Sequence, residues 1–474
     1  MALSIPTAVA HEGGMILSEV FERFVEVSPI SVMARALMES ALAPDVLNSL
    51  FDKQADRQYT RELLFSTIVD LMGVVVCKSQ PSLHSAIQAV RKTVPVSVTS
   101  VYDKINGVEP GVVRALLVET SLKLSKVVAT MNGQLPALLP GHRTMILDGN
   151  HFAATERRLD VLKRCKAGPL PGHALVVLEP ELMLVRDMIP CQDGHAQERS
   201  LTPEILKLVC KADVWIDDRN FCTTPLLAGI ASRKAFFVSR QHAGLPCTPV
   251  GPLNKCGKID TGTVFEQPVE IALSDGSVLK ARRIVIRLKV PTRDGDNEMA
   301  ILTNLPKTVA IASKVANLYR KRWTIETMFQ SLTQMLRGEI DTLGYPRAAL
   351  LGFGIALTTY NILSTVQAAL RARFGAEKIQ EEVSGYYIAH EIQSVRLGMN
   401  IAVEKYNWNV FHTMPHKVFC ALLIKWAGHV ELSKYKRHPR GPKKPVPKRT
   451  KFVDKMHVST ARLLAAAKIR KNSP

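Results

Sequence analysis

The apolar pattern of this chain changes period at residues 131–142, and that change constrains the fold more than any other feature. Before it, apolar residues recur at three and four spacing in SEVFERFVEVS, RELLFSTIVDLMGVVV and GVVRALLVETSLKLSKVV, one helical face each time. After it come short β-rich runs: RTMILDGNHF, HALVVLEPELMLVRDMIP, ADVWIDDRNF and AFFVSR, with helical patterns at 199–211 and 222–233. The join, MNGQLPALLPGH, has two prolines and two glycines and reads as a linker. This texture predicts a helical unit followed by an α/β unit with a mixed sheet.

A β-rich block follows, VFEQPVEIALSDGSVLKARRIVIRLKV and EMAILTNL, with Asp275–Gly276 placed as a tight hairpin turn requires. RDGDNE (293–298) lacks the glycine and glutamate offsets of a calcium loop and reads as a second hairpin turn. Long helices then return in TVAIASKVANLYRKRW, IETMFQSLTQML and AALLGFGIALTTYNILSTVQAAL. Ala348 to Leu370 carries no charge, but Thr358, Thr359, Asn361, Thr365 and Gln367 would be costly in hydrocarbon. We expect a buried core helix rather than a membrane span. Within the first unit, PSLHSAIQAVRKTVPVSVTSVYDKINGV gives two short helical patterns. They suit a helix-turn-helix with Ser97 to Ile105 as its reading helix, although a plain helix pair gives the same pattern.

Charge points to a partner. The 474 residues hold 62 Lys+Arg against 42 Asp+Glu, a formal net charge of +20. Of this, +13 lies between Lys434 and Pro474, so the body carries only +7. The run KYKRHPRGPKKPVPKRTKF is broken by prolines and reads as an extended polycation suited to phosphates, with Lys443, Lys444, Lys448 and Arg449 at its centre. The eight cysteines are scattered without zinc spacing, which predicts buried thiols in a reducing compartment. The first residues, MALSIPTAVAHEGG, lack the basic and apolar regions of a secretory leader.

Three acids sit where chemistry can occur. Asp148 follows TMIL and precedes Gly149; Asp218 follows DVWID; Glu326 lies in the helical stretch YRKRWTIETMFQ. Acids at neighbouring strand ends can converge outside an α/β sheet. Carboxylates are the hard ligands that Mg2+ takes, and two ions held by three of them suit phosphodiester chemistry. On one continuous helix Tyr319, Arg322, Glu326 and Thr333 would fall within about 60° of arc, a phenol, a guanidinium and a carboxylate in line. An exposed i,i+4 Arg–Glu pair is the structural alternative.

LDGNHF, DDRNF and YRKRWTIETMFQSL together resemble bacterial insertion-sequence transposases of the Asp-Asp-Glu type. The resemblance is closest to the subgroup with Tyr-x2-Arg-x3-Glu-x6-Lys around the catalytic glutamate and a β-rich insertion before it, and it covers roughly 143–370. It implies an α/β fold with a ribonuclease H-like mixed-sheet catalytic core, interrupted by the β-rich insertion and flanked by a helical N-terminal domain and a helical, basic C-terminal region. It further implies Asp148, Asp218 and Glu326 as catalytic metal ligands, with Tyr319 and Arg322 on DNA; Lys321 and Lys314 are candidates to replace the basic contacts that the signature lacks here. Asp217 competes with Asp218, and the family pattern of Asp-Arg followed by an aromatic favours Asp218. Two departures stand out: Thr333 replaces the signature lysine, and Gln330 a frequent basic residue. Some subgroup members stack a flipped base on a tryptophan of the insertion, but Trp215, Trp323, Trp408 and Trp426 all lie outside it. His195 and Glu198, in DGHAQERS, read as structural neighbours of the site.

The expected organisation is a DNA-binding domain at 1–140, the core at 141–240 and 306–372, the insertion at 241–305, a helical dimerisation candidate at 373–433 and a basic tail at 434–474. The expected activity is that of a DNA transposase. It would bind terminal inverted repeats, cleave the ends hydrolytically with two Mg2+ ions (Mn2+ substituting) and join 3′-hydroxyls to target DNA. The resemblance implies double-stranded DNA and a second copy, in a synaptic homodimer, as partners, no membrane, and a cytoplasmic, nucleoid-associated location in a bacterium. A catalytically inactive DNA-binding derivative and a structure-selective nuclease on the same fold are the alternatives.

Overall fold

The computed structural model describes residues 18–56, 62–91, 96–163, 165–292, 295–438 and 456–472. Ahead of the sheet lie α1 (Glu19–Val27), α2 (Pro29–Ala41), α3 (Pro44–Gln54), α4 (Phe65–Val76), α5 (Leu83–Ala89), α6 (Val98–Gly107) and α7 (Pro110–Thr130). Local chemistry sets their starts. Ser18, Ser82 and Ser97 accept the amide N–H of Phe21, Ser85 and Ser100, and α2, α3 and α7 each open on proline. The segment expected to read DNA becomes α6, whose Val101 and Ile105 are buried.

The α/β part runs β1 (Thr144–His151), α8 (Asp160–Lys163), β2 (Gly168–Leu170), β3 (His173–Glu179), β4 (Leu184–Cys191), α9 (Thr202–Leu206), β5 (Val214–Asp217), α10 (Thr224–Ser232) and β6 (Phe236–Arg240). It continues through β7 (Cys247–Pro249), β8 (Asn254–Ile259), β9 (Gly262–Ala272), β10 (Val278–Leu288) and β11 (Glu298–Thr303). Ten of these strands form one sheet in the order β4-β3-β1-β5-β6-β11-β10-β9-β7, with β8 also paired to β9. β1, β5 and β6 are parallel, and the remaining pairings are antiparallel. The β-rich block therefore continues the sheet, with Ile301 of β11 opposite Arg240 of β6. The β9–β10 hairpin turns at Gly276, whose φ of 82° suits glycine.

Strand alternation divides the apolar residues between two cores. Ile146, Val176, Ile216 and Val238 face the larger core, shared with α7 and the later helices; Leu147, Val177, Trp215 and Phe237 face a smaller one closed by α9 and α10. After the sheet come α11 (Ala312–Arg320), α12 (Trp323–Met335), α13 (Pro346–Phe374), α14 (Ala376–Glu382), α15 (Gly385–Ala402), α16 (Lys405–Thr413) and α17 (His416–Ala427). Among the described residues α13 is the one helix long and apolar enough to cross a membrane, but 94% of its most apolar window is buried inside the protein. Several of its polar groups are satisfied internally. Thr358 and Thr359 donate to carbonyls one turn back, and Asn361 exchanges two 2.8 Å hydrogen bonds with the backbone of Val185 on edge strand β4. It is a core helix, as its polar residues required.

The basic C-terminal region is not wholly an extended tail. Residues beyond the proline-rich run return to the core as β12 (His457–Ser459) and α18 (Thr460–Asn472). β12 pairs with β2, and Arg462 meets Asp193 at 2.7 Å. Lys443, Lys444, Lys448 and Arg449 lie outside the described residues.

Candidate active site

The register of two parallel strands places the first two acids. Thr144 pairs with Val214 and Ile146 with Ile216. Continued two residues, this offset sets Asp148 beside Asp218. Asp148 does not end its strand as expected: β1 runs on to His151 because Gly149, Asn150 and His151 keep pairing with β3. It does lie past the last β5 partner, so its carboxylate stands at the rim of the parallel pair. Hydrogen bonds from adjacent amides orient both acids, Gly149 N–H to Asp148 Oδ1 at 2.9 Å and Asn220 N–H to Asp218 Oδ1 at 2.7 Å. Asp217 points the other way. It is 1% exposed and opposite Ser239 on β6, and burial pushes its carboxyl well above the usual range.

The third acid arrives on a broken helix. Tyr319, Arg322 and Glu326 do not share one continuous α-helix: α11 ends at Arg320 and α12 begins at Trp323. Across the joint, Lys321, Arg322, Thr324 and Ile325 donate to carbonyls three residues back, as in a 3-10 turn. Such a turn superposes residues i and i+3, so Arg322 stays over Tyr319 despite the break. Arg322 then donates to Asp148 Oδ2 at 3.2 Å through Nη1 and to Glu326 Oε1 through Nη2. The anticipated i,i+4 pair is present, with a second arm that joins α12 to β1. Tyr319 is buried beside this guanidinium, and burial pushes its phenol up to about 12. Lys321 is exposed at the joint, and Thr333 is exposed further along α12 with its hydroxyl bonded to the Phe329 carbonyl.

The electrostatics show that the acids share one field. Burial pushes Asp148 up to about 7; Arg322 opposes this, and the charges of Asp218 and Glu326 add to it. Among the described residues no three His, Cys, Asp or Glu side chains stand in ligating geometry; between Asp148 and Glu326 the positive charge is that of Arg322. Even so, the donors are all hard carboxylate oxygens, and the charges of Asp218 and Glu326 both bear on Asp148. That chemistry fits a divalent cation.

Some contributors have little sequence signal. Glu198 accepts from His151 and from Asn220, whereas His195 of the same segment is exposed. Glu339 accepts from the Asn150 side chain at 3.1 Å and the Ala153 amide at 2.7 Å, fixing the chain after β1. Glu198 was read from the sequence as a neighbour of the site, whereas Glu339 has no such mark, because its partner 189 residues away is set by the fold.

Comparison with known proteins agrees with the resemblance. Residues 140–362 match the family described as Transposase DDE domain. The protein y4zB of Sinorhizobium fredii (strain NBRC 101917 / NGR234), by name only a candidate transposase, is 33% identical over 124 residues. That match covers 26% of this chain and 34% of the relative, so the chain spans about a third of the relative's length. A piggyBac transposase synaptic complex with hairpin DNA, solved by cryo-electron microscopy, aligns over 90% of each chain at 10% identity and a TM-score of 0.36, too low to bear on fold or function. The stretch that matches the family described as Transposase DDE domain, residues 140–362, holds all three acids.

Proposed function

We propose that this chain is a DNA transposase in which Asp148, Asp218 and Glu326 form one metal-dependent phosphodiester site. The observation that carries this reading is Arg322, which reaches both Asp148 and Glu326 and so joins the α12 acid to the acid at the rim of the parallel strands. The order β4-β3-β1-β5-β6, parallel only at β1-β5-β6, supports a ribonuclease H-like core, with β7–β11 as the insertion before the glutamate helix.

Transposases of this family use divalent metals, and Mg2+, with Mn2+ as a substitute, matches the carboxylate set in a two-ion site. When bound, such ions lower the pKa of water or a 3′-hydroxyl and stabilise the leaving oxygen. The chain's own residues do the rest. Asp148, Asp218 and Glu326 hold the ions, and Gly149 and Asn220 amides keep the aspartates oriented. Arg322 trades carboxylate for phosphate as DNA enters, and Tyr319 limits its swing. Lys321 lies on the exposed side of the joint, where it meets the DNA backbone. The substrates are the terminal inverted repeats of the element and a target duplex, bound by a homodimer. Cleavage exposes a 3′-hydroxyl that is then joined to the target.

The test is a cleavage and joining assay on the element's own ends. Asp148→Asn, Asp218→Asn and Glu326→Gln should each abolish Mg2+-dependent nicking while end binding persists. Parent-like nicking by any one of them removes that residue from the site.

A further inference from the structure

We infer that Glu198 is a positioning residue, a carboxylate clamp that sets the spacing between β1 at Asp148 and the loop that bears Asp218. This rests on reading Asp148 and Asp218 as one site.

The connections run in an unbroken chain. Asp148 Oδ1 accepts the Gly149 amide at 2.9 Å. Over Gly149 lies the Glu198 carboxylate: the place a Cβ would take at residue 149 is filled by Glu198 Oε1. The same oxygen is 3.2 Å from His151 Nε2, two residues further along β1. The other oxygen accepts from the side-chain amide of Asn220, and the Asn220 backbone amide donates to Asp218 Oδ1 at 2.7 Å. Arg199, adjacent in sequence, donates to the Asn220 carbonyl at 2.8 Å and so anchors the far loop to the same segment.

One carboxylate therefore touches the residue after Asp148 and the residue two after Asp218. The clamp explains why residue 149 is glycine. The positive-φ glycines do not include Gly149, so the demand is for space rather than for an unusual backbone. Burial alone would push Glu198 up; hydrogen bonds from His151 and Asn220 outweigh it and hold the carboxyl below its usual range, as a charged clamp requires. Residues that orient metal ligands typically change metal affinity or activity by about 10- to 100-fold when removed.

Two readouts on the full chain test this. The first needs no activity: melting temperatures of Gly149→Ala, Glu198→Ala and the double variant. A methyl at 149 collides only while Glu198 is present, so the loss from Gly149→Ala should largely vanish in the Glu198→Ala background. The second is Mg2+-dependent nicking of the element's ends. Glu198→Ala should lower kcat by about 10- to 100-fold and raise the Mg2+ concentration needed for half-maximal rate, with end binding by gel shift unchanged. Glu198→Gln, which keeps the shape and one acceptor, should recover most of the rate. Melting losses that simply add, or parent-like rate and Mg2+ requirement in Glu198→Ala, would overturn the clamp. If Glu198→Ala fails to fold, a Glu198→Gln rate as low as that of Asp218→Asn would overturn it as well. A parent protein that nicks nothing refutes the reading of the site, and the melting cycle still decides the clamp.

Discussion

Asp148 has a cost in the free protein that follows from its pKa near 7. The folded chain holds a proton that the unfolded chain, with an ordinary value of 3.8, releases. This group's stabilising contribution is complete below the unfolded value and is lost as pH rises through about 7. Without metal, Asp148→Asn should therefore melt above the parent at pH 8, and the difference should shrink towards pH 5. Adding Mg2+ at pH 8 should raise the parent's melting temperature and leave Asp148→Asn almost unmoved. Melts in chelator and in Mg2+ at both pH values check this; a lower melt for Asp148→Asn at pH 8 contradicts it. Thr333 supplies a second test at this scale. It is exposed on α12 where the resembled subgroup carries lysine, so Thr333→Lys should tighten end binding and steepen its salt dependence by about one counterion. Fluorescence anisotropy at several salt concentrations reads that change, and an unaltered slope would exclude a phosphate contact there.

At the scale of elements, the period change at 131–142 and the run TMIL marked the helical-to-sheet transition because apolar periodicity reports burial on one face. The two aspartates were singled out by apolar runs stopped by carboxylates, although β1 continues past Asp148 to His151. The break between α11 and α12 was not legible. YRKRWTIETMFQ contains no proline or glycine, and the 3-10 joint shows only in the carbonyls that Lys321 and Arg322 choose. Nor was the clamp legible, since Glu198 acquires its meaning from Gly149 and Asn220 across the sheet. The polar residues of α13 were read correctly as belonging to a buried helix, but their task was hidden. Asn361 satisfies both backbone groups of Val185 on edge strand β4. Asn361→Leu would bury those groups unpaired and should destabilise the protein by on the order of 3 kcal/mol, measurable by denaturant unfolding. A loss under about 1 kcal/mol, the size of an ordinary hydrogen bond, would mean that the edge finds other partners.

For the whole molecule, one sheet extends from β4 through β7, so the hairpins after β6 join the strands next to the two aspartates through β11 and β6. The charge has a separate role. Replacing Lys443, Lys444, Lys448 and Arg449 together with glutamine should weaken binding to any duplex alike. It should also reduce the slope of log K against log salt by about 3 to 4, while nicking at saturating protein is retained. A loss confined to the element's own ends would instead assign sequence readout to that run. Central to the account is that the half-buried Asp218, not its buried neighbour Asp217, completes the site with Asp148 and Glu326. The most direct measurement is the Mg2+-dependent nicking rate at a transposon end for Asp217→Asn beside Asp218→Asn. A site completed by Asp218 requires a rate near the parent's for Asp217→Asn and none for Asp218→Asn; the reverse result would assign the second ligand to Asp217.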